Sequence, residues 1–382
     1  MADFNTRLTI LSKVEIDDLY ALPQLNDNER AFYFSLDDEE MLEMKSLKSI
    51  ETRVHFILQL GYFKTKNLFF DTTFEMCLDD VRYISSTYFN GVDITQSSVT
   101  KRTKFHNYAR ILKCVAYTFL NQNTHEQLIQ KALVCATICV DPRYLFEQLI
   151  LFLEEHHIVL PGYSTLQKII SQSLTLESQR LYTLVAQHIP ESIDMTLKKL
   201  LISGEDEKKD KEAEREKECK KIYGITLLKK DAKGFNYTEM MKEIHKKQTC
   251  EVLFHSSKNI ISYFNISPQN ISYYASLVDY YSVDRLNELS YEMARLYVLC
   301  YVFYRFEKIH DNLISIFFYR MGIYENQAKK YSKDSVYDHK KEMNGYDETI
   351  ATILDLFLDK KIKNTKIRPA AFNIVAEENF AD

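Results

Sequence analysis

Glycine and proline are the residues with which a chain turns, and this one has few of either. Its 382 residues include 8 Gly and 6 Pro. Proline stops helices, and glycine supplies the left-handed backbone of tight turns. Their scarcity predicts long helices joined by short connections. It argues against β-sandwiches, which need many turns, and against nucleotide folds built on glycine-rich loops. Neither G-x-G-x-x-G nor G-x-x-x-x-G-K-[ST] occurs, so a Rossmann or P-loop enzyme is not expected.

Composition agrees with a globular chain: 46% of residues are hydrophobic and 27% are charged. The longest apolar run, within RLYVLCYVFYRF, is about nine residues, far below the ~20 of a spanning helix. The opening MADFNTRLTILSKVEIDDLY has no basic-then-apolar leader. The seven cysteines are odd in number, form no C-x-x-C, and sit mostly in apolar helical stretches, where Cys acts as a small hydrophobe. These features predict a soluble, cytoplasmic protein with reduced thiols and no membrane partner.

Helix punctuation recurs along the chain. Ser12 precedes Glu15, and Asn26 precedes Glu29, both at capping-box spacing. DDEEMLEM places four acids in a first turn, where the helix dipole favours them. SIETRVHFILQLG reads as a helix closed by Gly61. TTFEMCLDDVRYISSTYF and THEQLIQKALVCATICV are further helices. Asp141-Pro142 and Ser267-Pro268 each end one helix and start another. LPGYSTLQKIISQSLTLESQRLYTLVAQHI runs as a long helix from a Ser164 cap to Pro190. The tyrosine-rich YYASLVDYY and YVLCYVFYRF read as core and helix–helix contact, with a dimer surface as a second reading. The predicted fold is all-α: several small helical bundles, helix-turn-helix-like units in series. GEDEKKDKEAEREKECKK, residues 204–221, is nearly all charge and reads as a solvated linker or exposed helix. The expected divisions are therefore 1–93, 94–203, the 204–221 linker, and 222–382.

The formal net charge is −5, but its distribution is uneven. Residues 1–93 hold 17 acids and 9 bases, whereas 94–125 hold five Lys/Arg and no Asp or Glu. The basic stretch is SVTKRTKFHNYARILK. Taken as a helix, it sets Lys101, Lys104 and Asn107 on one face, and Arg102, His106 and Arg110 in an adjacent row. Phe105, Ala109, Leu112 and Ala116 form a face suited to packing. A helix packed on one side and basic on the other suits a phosphate row or duplex groove. Asn107 and Arg110 are placed to reach base edges, and Lys101, Lys104 and Lys113 to hold phosphates. Pattern alone leaves an ordinary basic surface helix open as well. Upstream, FILQLGYFKTKNLFF reads as a core anchor, with Lys64 and Lys66 free to add phosphate contacts. His156-His157 has no second ligand cluster at zinc spacing and reads as a surface helix end. No G-x-S-x-G or H-E-x-x-H occurs.

Several phrases resemble a known family. NDNERAFYFSLDDEE resembles the L-x-x-x-E-R-x-x-Y-F-x-L opening of Tn-three-family transposases. ILQLGYFKTKNLFF is similar to the phrase that follows it. LPGYSTLQKII is similar to their P-x-x-x-L segment, in the domain of unknown function at the transposase N-terminus. ISPQNISYYASLVDYYSVDRL and LYVLCYVFYRFEKIHDNLISIFFYRM resemble the next portion. The phrases keep family order from about residue 7 to about residue 360. TKRTKFHNYARIL looks like the family's T-R-x-x-H-x-x-x-I stretch, with Thr103, His106 and Ile111 falling near that pattern, inexactly.

The resemblance implies recognition of the terminal inverted repeats of a replicative transposon by successive small helical DNA-binding units. A helical part linked to dimerisation follows, here 222–382. In the family a ribonuclease-H-like domain with an Asp-Asp-Glu triad and two Mg²⁺ ions comes after it. This sequence ends at RPAAFNIVAEENFAD, so a fragment truncated before that domain is expected, with no enzymatic activity, catalytic residue or cofactor. The expected partner is double-stranded DNA at transposon ends, met by Lys101, Arg102, Lys104, His106, Asn107, Arg110, Lys113, Lys64 and Lys66. A homodimer or full-length transposase is the expected protein partner. The rival expectation is a helical protein-interaction module that pairs with full-length transposase and does not touch DNA.

Overall fold

A computed structural model describes residues 8–204 and 222–374. The charged segment expected as a linker lies, from residue 205 on, outside the described residues, as does Cys219. Sixteen helices make the described fold all-α. Strand pairing among the described residues amounts to Ser203–Gly204 against Ile222–Tyr223 and a single bridge between Thr118 and Ile158. No described helix is long and apolar enough to cross a membrane.

The chain divides into two compact units, Met1–Lys229 with Glu251–Arg305, and Lys230–Cys250 with Phe306–Asp382. The first begins with α1 (Lys13–Tyr20), α2 (Asp27–Tyr33), α3 (Asp38–Ser46), α4 (Ile50–Lys66) and α5 (Leu78–Tyr88). It continues with α6 (Lys101–Cys114), α7 (Gln122–Ile138), α8 (Pro142–Glu155), α9 (Tyr163–His188), α10 (Glu191–Leu201) and α11 (Gly224–Lys229). Helices α12 (Tyr237–Phe264) and α15 (Tyr291–Leu358) give residues to both units, while α13 (Pro268–Tyr280) and α14 (Val283–Glu288) belong to the first. The second unit ends with α16 (Asn364–Phe372).

Two hydrophobic cores organise the N-terminal part. The first surrounds α4, whose residues Val54 to Phe63 are all buried, and takes in Phe34, Met44, Phe74, Val81, Ile84, Ile111 and Leu112. The second joins α7, α8 and α9 through Leu128, Ala132, Leu145, Leu149, Leu166 and Ile170, with Ile10 and Leu11 added from the segment ahead of α1. Helix α6 thus packs into the first core. The boundary expected at 93/94 does not separate it, because Ile111 and Leu112 bury against the earlier helices. Conversely, Ile10 and Leu11 lie with the later ones.

Local signals set the helix starts. Ser12/Glu15 and Asn26/Glu29 form complete capping boxes, and Asp37/Glu40 forms a third. Asp141 and Ser267 cap helices whose first residue is proline. The N-cap of α9 is Gly162, two residues before the Ser164 expected, and no side chain caps the helix. The segment TTFEMC contributes a short 3-10 turn, Phe74–Cys77, before α5 starts.

Gly61 departs most from expectation. It does not close α4; the helix runs on to Lys66 and ends at Asn67, in the left-handed conformation at φ 54°. Gly61 is buried in mid-helix, where a methyl group would overlap the ring of Phe34 and come within 3.1 Å of the Tyr33 carbonyl. The missing side chain lets the end of α2 lie against α4. A buried polar group ties the same helices together. Asp80 accepts from Arg30 Nε at 2.7 Å and from the Tyr62 hydroxyl at 2.5 Å. Both carboxylate oxygens are thereby satisfied, as a buried charge requires.

A candidate nucleic-acid interface on helix α6

Thr100 caps α6, accepting from the Thr103 N–H at 3.3 Å. The helix turns its Asn107, Tyr108, Ile111 and Leu112 inward. Of the packing face expected from sequence, Leu112 alone is buried. Phe105 is 56% exposed, and Ala109 and Ala116 are exposed too. Asn107 occupies the inner face and is fully buried. Its Nδ2 donates to the Thr52 carbonyl and to His55 Nδ1, both at 3.0 Å. Asn107 therefore has no path to a base edge and leaves the candidate set.

The remaining cations divide into two groups. Lys104 Nζ binds the Asp71 carboxylate at 2.7 Å and the Thr72 carbonyl at 2.9 Å. Arg110 binds Glu43 at 2.6 Å and the Ser46 hydroxyl at 2.7 Å. The window lacks acids in sequence, yet the fold supplies two from outside it. Lys64 is likewise engaged, with buried Glu40 at 2.8 Å and the Ser35 carbonyl at 3.1 Å, and Lys66 donates to the Asp18 carbonyl. Neither is the free phosphate contact expected. By contrast Lys101, Arg102, His106 and Lys113 are exposed, and among the described residues their side chains make no hydrogen bond or ion pair.

These four share one side of the helix. At 100° per residue, positions 101, 102, 105, 106, 109 and 113 fall within a single 140° sector, together with buried Leu112 near its Lys101 edge. From Lys101 to Lys113 the row extends roughly 18 Å at 1.5 Å per residue. Phe105 stands within it, edge-on to Tyr108 with ring centroids 5.9 Å apart. Sequence reasoning missed Phe105 because an aromatic residue in an amphipathic helix is normally read as core. Behind the row, Tyr108 stacks on Phe69 at 4.3 Å, and Phe63 packs on Phe69 at 4.9 Å. The aromatic stretch 56–70 is therefore the buttress beneath α6.

Charge around the helix follows this geometry. Lys104 holds the Asp71 carboxyl below its ordinary range, with a smaller contribution from Lys101. Burial drives His55 down from its ordinary 6.5 to about 4, and the Lys104 charge adds to the effect. His55 is thus neutral near pH 7. Because Nδ1 accepts from Asn107, the ring proton resides on Nε2.

Elsewhere the expected histidine pair, His156-His157, lies at the end of α8, with His157 in the left-handed conformation at φ 50°. Among the described residues no group of three or more His, Cys, Asp or Glu could hold a metal ion.

No curated protein matches the chain. Residues 10–173 match a family model described as a domain of unknown function, DUF4158. The chain thus carries a DUF4158 domain that takes in the buried residues of both N-terminal cores and the whole of α6.

Proposed function

We propose that this chain is the DNA-binding region of a transposase, recognising the terminal inverted repeats of its element through α6. DUF4158 is a family found in transposases, and the ordered resemblance to Tn-three-family transposases runs beyond its limits. The observation that carries the reading is the exposed row Lys101, Arg102, His106 and Lys113, which also takes in exposed Phe105 and Ala109 and, at its inner edge, buried Leu112. The lysines and arginine neutralise phosphates, which supplies affinity without sequence preference. Phe105 offers an apolar contact of the kind that reads a thymine methyl in the major groove. The residues are assigned binding, with no bond-breaking step.

Binding of a fluorescent duplex carrying the transposon end, followed across a salt series, tests the proposal. The log–log slope falls by about 0.9 for each phosphate contact removed. Lys101→Glu with Arg102→Glu should abolish measurable binding while leaving the helical circular dichroism intact. Unchanged binding would take α6 out of the interface.

A second reading, pairing with another transposase chain, is favoured by one observation. Within the second unit α15 exposes Ile314, Phe317, Phe318, Met321 and Tyr324 at spacings of three and four residues, with Tyr331 seven residues further on. An apolar row of this kind suits a partner helix. Sedimentation of the chain alone, and co-purification with a tagged full-length transposase, separate pairing from DNA binding.

A further inference from the structure

Beneath the N-terminus of α6 lies a recess of about 60 Å³. A single water needs roughly 10–15 Å³ of such space, so the recess is larger than one water requires. His55, Thr72, Thr73, Phe74, Ser97, Ser98, Val99 and Lys104 line it. His55 is 2% exposed, and its Nε2 has no hydrogen-bond partner. A buried polar atom of this sort is normally satisfied, and leaving it bare is destabilising.

The chemistry of the wall identifies what would satisfy it. With Nδ1 accepting from Asn107, His55 Nε2 carries a hydrogen and can only donate. Lys104 adds an ammonium. Thr73, Ser97 and Ser98 add hydroxyls, while the Thr72 hydroxyl is engaged with Gln59 Nε2 at 3.4 Å and with Cys77. No carboxylate lines the recess; Asp71 meets Lys104 from outside, with its side chain 92% exposed. A donor-rich wall with one fixed positive charge excludes a cation and suits an oxyanion. The site also lies at the positive end of the α6 dipole, and α6 is 14 residues long. Thr73 and Ser98 are exposed at its mouth, beside the first turn that carries Lys101 and Arg102.

We infer that this recess is a phosphate site, with His55 Nε2 and Lys104 as its principal donors, and that it seats one backbone phosphate of the duplex beside α6. The last clause rests on the DNA-binding reading; the oxyanion chemistry does not. A phosphate held here would fix the start of α6 against the backbone, leaving the exposed row to lie along the groove. Side-chain positioning contacts of this type set register and carry no sequence information themselves.

The test follows the imidazole ¹⁵N resonance of His55 Nε2 in the full chain. Inorganic phosphate is added in one arm and duplex DNA in the other, at ionic strength matched with chloride. The expected result is a saturable shift in both arms and none with chloride. Lys104→Gln should weaken the phosphate response by about tenfold or more, the loss of one charged hydrogen bond. Ser98→Ala, at the exposed mouth, should weaken it severalfold and offers a variant that leaves the core untouched. A shift with phosphate but not with duplex would uphold the oxyanion site and detach it from DNA. No shift in either arm would overturn the inference, and a gel shift of the same duplex would then report separately whether DNA binds elsewhere.

Discussion

Lys104 and Asp71 lie 33 residues apart in sequence and 2.7 Å apart in the fold. The contact pairs off one of the five cations of the carboxylate-free window. It also makes Asp71 a brake on any polyanion that approaches α6. Asp71→Asn should release Lys104 and tighten duplex binding, and should steepen the log–log salt slope by about 0.9. Anisotropy titrations of wild type and variant over one salt series measure both. An unaltered slope would mean that Lys104 does not reach a phosphate.

His55 gives the protein a pH dependence whose sign is fixed by its burial. The imidazole titrates near 6.5 when unfolded and at about 4 when folded. Between these values the unfolded chain binds the extra proton, so stability is complete above about pH 6.5 and is lost as the pH falls towards 4. At about 1.36 kcal/mol per pKa unit, this one group contributes on the order of 3 kcal/mol. Burial and the nearby Lys104 charge are the causes, and the hydrogen bonding agrees: protonation would turn Nδ1 into a donor facing the Asn107 amide, itself a donor. Urea midpoints measured from pH 7 down to pH 4 should fall more steeply for wild type than for His55→Gln. Parallel profiles would exclude His55 as the titrating group.

Gly61 tests the packing of α2 on α4. Gly61→Ala gains helix propensity of about 1 kcal/mol, yet forces the new methyl into Phe34. Overpacking costs about 1–3 kcal/mol, and the Tyr33 carbonyl at 3.1 Å adds a backbone contact that cannot rotate away, so net destabilisation is expected. Phe34→Leu in the same background should recover part of the loss, making the pair non-additive in a thermal-unfolding cycle. A more stable single variant would show that Phe34 moves aside freely.

Asn270 makes the corresponding test for the later part of the first unit. Fully buried at the start of α13, it accepts from the Val140 N–H at 2.8 Å and donates to the carbonyls of Ala136 at 3.0 Å and Thr137 at 3.2 Å. It thereby satisfies the C-terminal end of α7, whose last carbonyls have no partner within the helix. Asn270→Ala should cost about 1–3 kcal/mol per buried group left bare. Hydrogen exchange at the Val140 amide should accelerate well beyond that of mid-α7 amides. Equal acceleration throughout would indicate global rather than local loss.

What was legible in the sequence was local. Ser12 with Glu15 and Asn26 with Glu29 cap as their spacing implies, because such bonds join residues three apart and need no tertiary partner. Asp141-Pro142 and Ser267-Pro268 start helices for the same reason. The paucity of turn residues matches a fold of helices. Gly61 was misread as a helix end because glycine serves both at termini and at close approaches, and only Phe34 distinguishes the two roles.

The interface followed the same division. Sequence alone determined that residues 94–125 carry cations without acids, and that 101–114 form a helix. It could not orient that helix. Residue type sent Phe105 inward and Asn107 outward, whereas the fold does the reverse, because Thr52 and His55 offer Asn107 two buried hydrogen bonds. Tertiary structure alone decided which cations stay free. Asp71 and Glu43 claim Lys104 and Arg110 across 33 and 67 residues of chain, and Coulombic pairing depends on distance in space, which a linear sequence does not record.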